Sequence, residues 1–340
     1  MNFKKIITTT AIISLSVTGL LALSACSSSK ASKDATSGKE VVIYTNADKE
    51  AETVMKKTLD DNGYKGAYKF VDFGSADLNT KVNAEGTNLQ ADLVTLSTFY
   101  IDSAQKSKDM FADWKTPGNL LDNFKQEGFQ SPILGLEGSL MVNTAVLKSK
   151  GLAKPSSIKD LTKPEYKGLI SFPSLETSTT GWLMVQALIS KYGEVEAQNI
   201  LTGLIKNAGA HLTSSGSAPV QDVTSGQVAV AFGLRQQGVE AQKQGQPIEV
   251  INASEGNYVL TESVAVVKHK DIKDKTEKIA EVLATKTRKD LMGYYPPAIF
   301  KGEQESNNES LRGEYFDKPL STDLLKSQIQ IFEKAKAAAN

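Results

Sequence analysis

The stretch KEVVIYTNADKEAETVMKKTLDDNG, residues 39–63, carries the pattern that decides the fold of this chain. Residues 41–44 are β-branched or aromatic, which is typical of a short buried strand. After a polar turn, apolar residues recur at helical spacing over residues 51–59, and Asn62-Gly63 is a helix stop signal. A strand, a short connection and a helix in this order predict a layered α/β sheet with parallel strands.

The alternation of strands and helices continues downstream. The predicted strands are YKGAYKFVDF, ADLVTLST, GLISFP, AHLTSS, VAVAFGL and YVLTESVAVVK, and the predicted helices are SADLNTKVNAEG, residues 181–191, APVQDVTSG and most of residues 274–340. Several strands end in Thr, Ser, Asn or Gly, as in YTNAD, TLST, PSLETSTTG, LTSSGS and AFGLRQQG. Because ligands of open α/β sheets bind beyond the carboxyl ends of strands, these endings predict a polar cleft.

The first 25 residues have the pattern of a secretory signal peptide. Lys4 and Lys5 precede an apolar run, and the run ends in LSAC and a polar stretch without a stop-transfer pattern. Cys26 is the single cysteine, so the chain forms no internal disulfide. LSAC resembles the bacterial lipobox, which implies lipid modification of Cys26 and an anchor on the extracytoplasmic face of the cell membrane. Residues 26–39 are then a flexible tether.

The charge balance argues against nucleic acid as a partner. Two of the 39 Lys and Arg lie in residues 1–25, which leaves 37 basic residues against 39 acidic ones. The chain has only two histidines and no Cys/His cluster, so we predict neither a metal nor a cofactor. Residues 26–340 exceed the usual size of a single domain, and we expect two lobes.

The run LETSTTGW, residues 175–182, places hydroxyl side chains directly before an apolar helix. Such residues are unfavourable inside a helix but cap its first turn, whose N–H groups lack partners. The same N–H groups and hydroxyls also suit an anion. Both interpretations apply to Ser178, Thr179, Thr180 and Gly181.

Taken together, the motifs resemble a known family. VVIYTNADKEA, GLEGSLMVNTAVL, the segment from SSIKDL to TSTTGW, YVLTESVAVVK and GYYPPAIF occur in the order found in type 2 periplasmic-binding-protein-like solute-binding proteins of ABC importers. The resemblance is closest to the group of ferric-iron, organophosphonate and sugar-phosphate binders. It implies an α/β fold of two lobes, each a mixed sheet flanked by helices, joined by a two-strand hinge. The expected lobes are residues 40–136 with 264–340, and residues 137–263.

The iron binders of this group carry a tyrosine pair after the strand that VAVAFG resembles. This chain has GLRQQG there, and its Arg235 would repel a trivalent cation but pair with a phosphate or phosphonate. Tyr294 and Tyr295 could substitute for that pair, although packing of a turn is the favoured role of these residues. Iron is therefore the less favoured ligand.

Several side chains are candidates for contact with a ligand. The predicted set is Thr45, Asn46, Ser97, Thr98, Glu137, Ser178, Thr179, Thr180, Gly181, Ser215, Arg235 and Glu262. Ordinary turns and caps are the alternative for the hydroxyl and amide residues. Glu137 and Glu262 interrupt apolar crossover strands, where they could bind a ligand ammonium or an internal cation. Trp182 is more typical of a core residue than of a ligand wall.

The resemblance implies a binding protein rather than an enzyme. We expect a monomer that captures a small anionic or zwitterionic solute, for which a phosphonate such as 2-aminoethylphosphonate is the leading choice. It would deliver this solute to an ABC permease and its ATPase subunits. A sugar phosphate, ferric iron or a polyamine is the alternative ligand, and an enzyme or an adhesin the alternative class. No GxSxG elbow, Walker-type loop or metal spacing favours an enzyme.

Overall fold

The computed structural model describes residues 39–122, 124–125, 127–268, 274–303 and 313–339. The predicted signal peptide and Cys26, the predicted lipidation site, lie outside these residues. The strands are β1 Val41–Thr45, β2 Tyr68–Asp72, β3 Leu93–Ser97, β4 Gln130–Asn143, β5 Ile170–Pro173, β6 Leu212–Thr213, β7 Val230–Leu234, β8 Ile248–Ile251 and β9 Val259–Val266. The α-helices are α1 Lys49–Leu59, α2 Ser75–Glu85, α3 Thr98–Lys108, α4 Thr144–Lys150, α5 Thr179–Ala208, α6 Ala218–Thr224, α7 Arg235–Lys243, α8 Asp274–Thr285, α9 Arg288–Leu291 and α10 Thr322–Ala339.

The strands form a mixed sheet in the order β2-β1-β3-β9-β4-β7-β5-β6, with β8 also paired to β4. Strand β1 is parallel to β2 and β3, and β5 is parallel to β6 and β7. Strands β4 and β9 run antiparallel to each other and to their other neighbours. Two groups of parallel strands, each flanked by helices, are therefore joined by two long crossing strands. The predicted two-lobed α/β architecture is confirmed.

Strand β4 changes partners along its length. Its first part pairs with β9, up to Glu137 opposite Val259, and its second part pairs with β7 from Gly138 onward. All of its residues are buried, which explains a sequence without the alternation of a half-exposed strand. At Gly138, a Cβ atom would lie 2.6 Å from a ring carbon of Phe232. Only glycine allows this close approach at the point where β4 passes between the lobes.

Helix α5 is longer than the predicted residues 181–191, because it continues through Gly193 at φ 75° to Ala208. The positive φ of Gly193 marks a kink in the helix. In the sequence, a glycine at such a kink looks the same as a helix stop signal. Trp182 near the start of α5 is fully buried, and its Nε1 donates to Gln328 Oε1 at 2.6 Å. This residue belongs to the core, as the core interpretation predicts.

Helix α10 packs along α5. Gln328 Nε2 also donates to Gln186 Oε1 at 3.0 Å, and Lys336 Nζ lies 2.6 Å from Glu176 Oε2. The sequence assigns residues 264–340 to the first lobe, whereas α10 contacts a helix of the second. The limits of the two lobes stay a prediction.

Candidate ligand-binding cleft

A cleft of about 370 Å³ lies where the loops after β1, β2, β5, β6 and β7 converge. Its lining consists mainly of small, hydroxyl and amide residues: Asn46, Ala47, Asp48, Ala51, Phe73, Gly74, Ser75, Leu134, Leu136, Thr177, Ser178, Thr179, Thr180, Ser214, Ser215, Gly216, Ser217, Leu234, Gln237, Glu262 and Tyr295. Four of the five polar strand ends noted in the sequence contribute to this lining, and TLST does not. Six of the predicted site residues line it: Asn46, Ser178, Thr179, Thr180, Ser215 and Glu262.

One group of lining residues, which we call the donor end, consists of residues 178–180 and the loop of residues 214–217. Ser178 is the N-cap of α5, and its Oγ accepts a hydrogen bond from Thr180 N at 3.2 Å. A Cβ on Gly216 would lie 2.6 Å from Thr180 Oγ1 and 2.8 Å from Ser178 Oγ, so the loop backbone presses on these hydroxyls. The positive end of the helix dipole adds to their attraction for an anion.

Gly181 has a packing role at the same helix start. A Cβ at this position would lie 2.6 Å from Pro173 O and 2.9 Å from Leu175 N. Gly181 is outside the cleft lining, and its missing side chain lets α5 begin directly against the end of β5.

A second group of lining residues, which we call the acidic end, consists of Asn46, Asp48 and Glu262. Asn46 Nδ2 donates to Glu262 Oε1 at 2.7 Å and to Ser75 Oγ at 2.9 Å. Burial raises the pKa of Glu262 to about 7, and the nearby Asp48 adds to the rise, while the hydrogen bond from Asn46 opposes it. Among the described lining residues, Asp48 and Glu262 are the charged ones.

Asp48 is a site residue that sequence reasoning missed. It is the N-cap of α1, and its Oδ1 accepts from Ala51 N at 3.1 Å and from the hydroxyl of Tyr295. Its Oδ2 accepts from Gln236 Nε2 at 3.0 Å. Burial and Asp48 hold the pKa of Tyr295 well above its usual value, so this tyrosine stays a hydrogen-bond donor. Its position in the polar turn YTNAD, directly after the first predicted strand, could have identified it as a site residue.

Glu137 and Arg235 lie outside the cleft lining and face each other. Arg235 Nη1 lies 3.7 Å from Glu137 Oε1 and donates to Asn252 Oδ1 at 2.6 Å, and Asn257 Nδ2 donates to Glu137 Oε1 at 3.1 Å. The antiparallel pairing of Gly138 with Leu234 makes these two residues neighbours. Burial lowers the pKa of Arg235, and Glu137 opposes that shift. The expected contacts of both residues with a ligand are replaced here by an internal ion pair.

Three further predicted residues, Thr45, Ser97 and Thr98, lie at strand ends outside the cleft lining. Thr45 is fully buried, and its Oγ1 accepts from Thr95 Oγ1 at 2.6 Å. Ser97 is also fully buried, and Thr98 Oγ1 lies 2.8 Å from Ser263 Oγ. The hydroxyls of Thr45 and Thr98 link neighbouring strands, whereas the buried Ser97 Oγ has no hydrogen-bond partner among the described residues.

The described residues contain neither a metal-ligand cluster nor a membrane-spanning helix. Within these ranges, no group of three or more His, Cys, Asp and Glu side chains is arranged to hold a metal ion. In the same part of the chain, no helix combines the length and the apolar character needed to span a bilayer.

Comparison with known proteins identifies the family. Residues 91–324 match the family described as bacterial extracellular solute-binding protein. An uncharacterized protein of Haemophilus influenzae is 25% identical over 208 residues, which are 58% of this chain. The chain spans 60% of the length of that curated relative.

Solved structures share the fold. The periplasmic binding protein AfuA of Actinobacillus pleuropneumoniae, with exogenous fructose 6-phosphate bound, is 22% identical with a TM-score of 0.70, over 89% of this chain and 97% of its own. Iron-bound HitA of Pseudomonas aeruginosa is 19% identical with a TM-score of 0.68, over 89% of this chain and 100% of its own. The periplasmic binding protein P5PA is 19% identical with a TM-score of 0.72, over the same shares. Because the family match covers more than half of its length, this chain belongs to the bacterial extracellular solute-binding proteins.

Proposed function

We propose that this protein is the solute-binding component of an ABC importer and that its solute is a small zwitterion with an anionic headgroup and an amino group. A phosphonate such as 2-aminoethylphosphonate is the best match. The observation that carries the proposal is the contrast between the two ends of one cleft. Hydroxyls and a helix N-terminus form the donor end, and Asp48 and Glu262 stand at the acidic end.

The donor end suits a phosphonate or phosphate group. Such a group has several acceptor oxygens, and hydroxyls from two separate loops could donate to it beside the start of α5. Arg235 was the expected cation for this group, but it pairs with Glu137. The headgroup would therefore be held by neutral donors and the helix dipole.

The acidic end suits an amino group. A buried carboxylate without a nearby cation is unfavourable, and a ligand ammonium between Glu262 and Asp48 would relieve that cost. The raised pKa of Glu262 reflects this cost in the unliganded protein.

The other candidate solutes use only part of this arrangement. A sugar phosphate, as in the AfuA complex, fits the donor end but brings no charge for the carboxylates. A polyamine fits the acidic end and leaves the donor end without an anion. Ferric iron needs anionic ligands, and Tyr295, the one tyrosine among the described lining residues, donates to Asp48.

Delivery of the solute to the permease would depend on lobe closure and on the proposed lipid anchor. Lobe closure on the hinge strands β4 and β9 would bury the solute, and the permease would recognise the closed form. We propose that Cys26 carries the lipid that holds the protein at the extracytoplasmic face of the membrane. Cys26→Ala should then abolish metabolic lipid labelling, and unchanged labelling would contradict the anchor.

Calorimetric titration of the purified protein tests the proposed ligand class. We expect 2-aminoethylphosphonate to bind more tightly than ethylphosphonate, fructose 6-phosphate, putrescine or ferric ion. The same order should appear in the rise of the melting temperature, since binding to the folded state alone stabilises it. Tightest binding of putrescine or of ferric ion would overturn the proposal.

A further inference from the structure

We infer that the cationic end of the solute is a primary ammonium, bound by Asn46 Oδ1, Gln237 Oε1 and the carboxylate of Glu262. This inference rests on the proposed function and goes further by naming the kind of amine and the groups that select it. It assigns a specificity role to Gln237, which sequence reasoning missed.

Two buried acceptor atoms of the cleft carry the inference. Among the described residues, Asn46 Oδ1 and Gln237 Oε1 are buried and have no hydrogen-bond donor within reach. Both residues line the cleft. An unpaired buried acceptor costs about 1–3 kcal/mol, and at a cleft wall a solute can supply the missing donor. A donor on the solute would satisfy both atoms.

The orientation of the Asn46 amide follows from its neighbours. Its Nδ2 lies 2.7 Å from Glu262 Oε1 and 2.9 Å from Ser75 Oγ. The reversed amide would set its oxygen against the carboxylate of Glu262, which is repulsive when that group is ionised. The carboxylate therefore fixes the amide so that its oxygen remains as an acceptor.

Gln237 brings its acceptor from the other lobe. It lies in α7 directly after Gln236, whose side chain donates to Asp48 Oδ2 at 3.0 Å. The start of α7 is therefore held against the loop that contains Asn46 and Asp48. Acceptors from both lobes border the same cleft, and one solute group bound to both would link the lobes.

A primary ammonium matches this set of acceptors. It has three N–H donors and no acceptor, one donor for each of the three groups. A hydroxyl has a single donor, and its lone pairs would face the carboxylates. A quaternary ammonium has no N–H donor and is bound instead by aromatic faces. The acidic end offers two carboxylates, Asp48 and Glu262, which favour a positive charge.

Calorimetry with three matched probes tests the inference: 2-aminoethylphosphonate, its N,N,N-trimethyl derivative and ethylphosphonate. The trimethyl compound keeps the charge and loses every N–H donor. We expect its affinity to be about ten- to a hundredfold lower than that of the primary amine, the range for lost hydrogen bonds to a charged group. Equal affinity for the two amines would overturn the inference.

A pair of variants on α7 tests the role of Gln237. Gln237→Met removes the acceptor at similar size, and Gln242→Met on the exposed side of the same helix is the control. Gln237→Met should weaken 2-aminoethylphosphonate about tenfold or more and leave ethylphosphonate unchanged. An equal loss for both probes would show a structural role and overturn the assignment.

The probes also separate this inference from the proposed function. Binding of ethylphosphonate as tight as that of 2-aminoethylphosphonate would refute the ammonium site and leave an anion-binding cleft. Failure of the wild-type protein to bind either compound would refute both.

Discussion

Gln236 and Asp48 connect the starts of α7 and α1: Gln236 Nε2 donates a hydrogen bond to Asp48 Oδ2 at 3.0 Å. Asp48 begins α1, and Gln236 belongs to the first turn of α7. The other carboxylate oxygen of Asp48 accepts from Ala51 N and from the Tyr295 hydroxyl. Asp48 and Gln236 fall in different lobes of the predicted division of the chain, so we expect this hydrogen bond to form only when the lobes are together.

Gln236→Ala should favour the open arrangement of the lobes. Loss of a hydrogen bond to a carboxylate is worth roughly 1.5–3 kcal/mol, so we expect affinity for 2-aminoethylphosphonate to fall about tenfold or more. Small-angle scattering of the ligand-free variant should show a larger radius of gyration. Gln242→Ala, on the exposed side of α7, is the control. An unchanged affinity together with an unchanged scattering curve would contradict a role of the Gln236–Asp48 hydrogen bond in lobe closure.

At the start of α5, Ser178 should contribute mainly to helix capping and Thr180 mainly to ligand binding. Ser178 is the N-cap, so Ser178→Ala should lower the free energy of unfolding by about 1 kcal/mol. Thr180 belongs to the first turn of α5 and lines the cleft. Thr180→Ala should therefore weaken binding of both phosphonates about tenfold, and Thr180→Ser should restore it. Calorimetry and urea denaturation measure the two effects. Full affinity in Thr180→Ala would leave this helix start with a capping role alone.

Gly216→Ala should obstruct the donor end without unfolding the protein. The new methyl group would lie 2.6 Å from Thr180 Oγ1 and 2.8 Å from Ser178 Oγ, which forces these hydroxyls to move. We expect at least a tenfold loss of affinity for ethylphosphonate. Gly118→Ala is the matched control, because nothing lies within 4 Å of its added Cβ. Equal affinities of the two variants would show that the loop does not border the anion.

The stability of the ligand-free protein should depend on the ionisation of Glu262. Its pKa is raised from 4.5 to about 7, so the folded state favours the protonated carboxyl. The resulting stabilisation is complete below pH 4.5 and is lost as the pH rises through about 7. It amounts to about 3 kcal/mol at most, from the free energy of one pKa unit.

Denaturation at pH 4.5 and pH 8 measures this effect in wild type and in Glu262→Gln. The variant should lack the decline that wild type shows, whereas Glu165→Gln at an exposed position should retain it. Parallel pH profiles of wild type and Glu262→Gln would contradict the assignment. Binding of an ammonium favours the ionised carboxylate, so affinity for 2-aminoethylphosphonate should fall as the pH drops below about 7.

Arg235→Ala should act on stability. Its guanidinium is buried beside Glu137, and removal of one partner of a buried ion pair costs roughly 3–5 kcal/mol. The melting temperature should fall steeply, while molecules that remain folded keep most of their affinity for ethylphosphonate. Arg235→Ala combined with Glu137→Gln should be more stable than Arg235→Ala alone. A selective loss of ethylphosphonate binding would instead show that Arg235 contacts the anionic headgroup.

The fold class and the region of the cleft could be predicted from local sequence patterns alone. Strand and helix periods are set by backbone hydrogen bonding within a few residues, so they are legible in segments such as residues 39–63. Polar residues after strands indicated the cleft for the same local reason. Of the twelve predicted site residues, Asn46, Ser178, Thr179, Thr180, Ser215 and Glu262 line it.

The contacts among these side chains could not be predicted, because they join residues that are far apart in the chain. Asn46 and Glu262 are 216 positions apart, and Asp48 and Gln236 are 188 positions apart. The partner of Glu137 depends on the register of β4 against β7, because a shift of one residue would turn the side chain to the other face. Register and lobe contact arise from packing over the whole chain, and no local pattern records them.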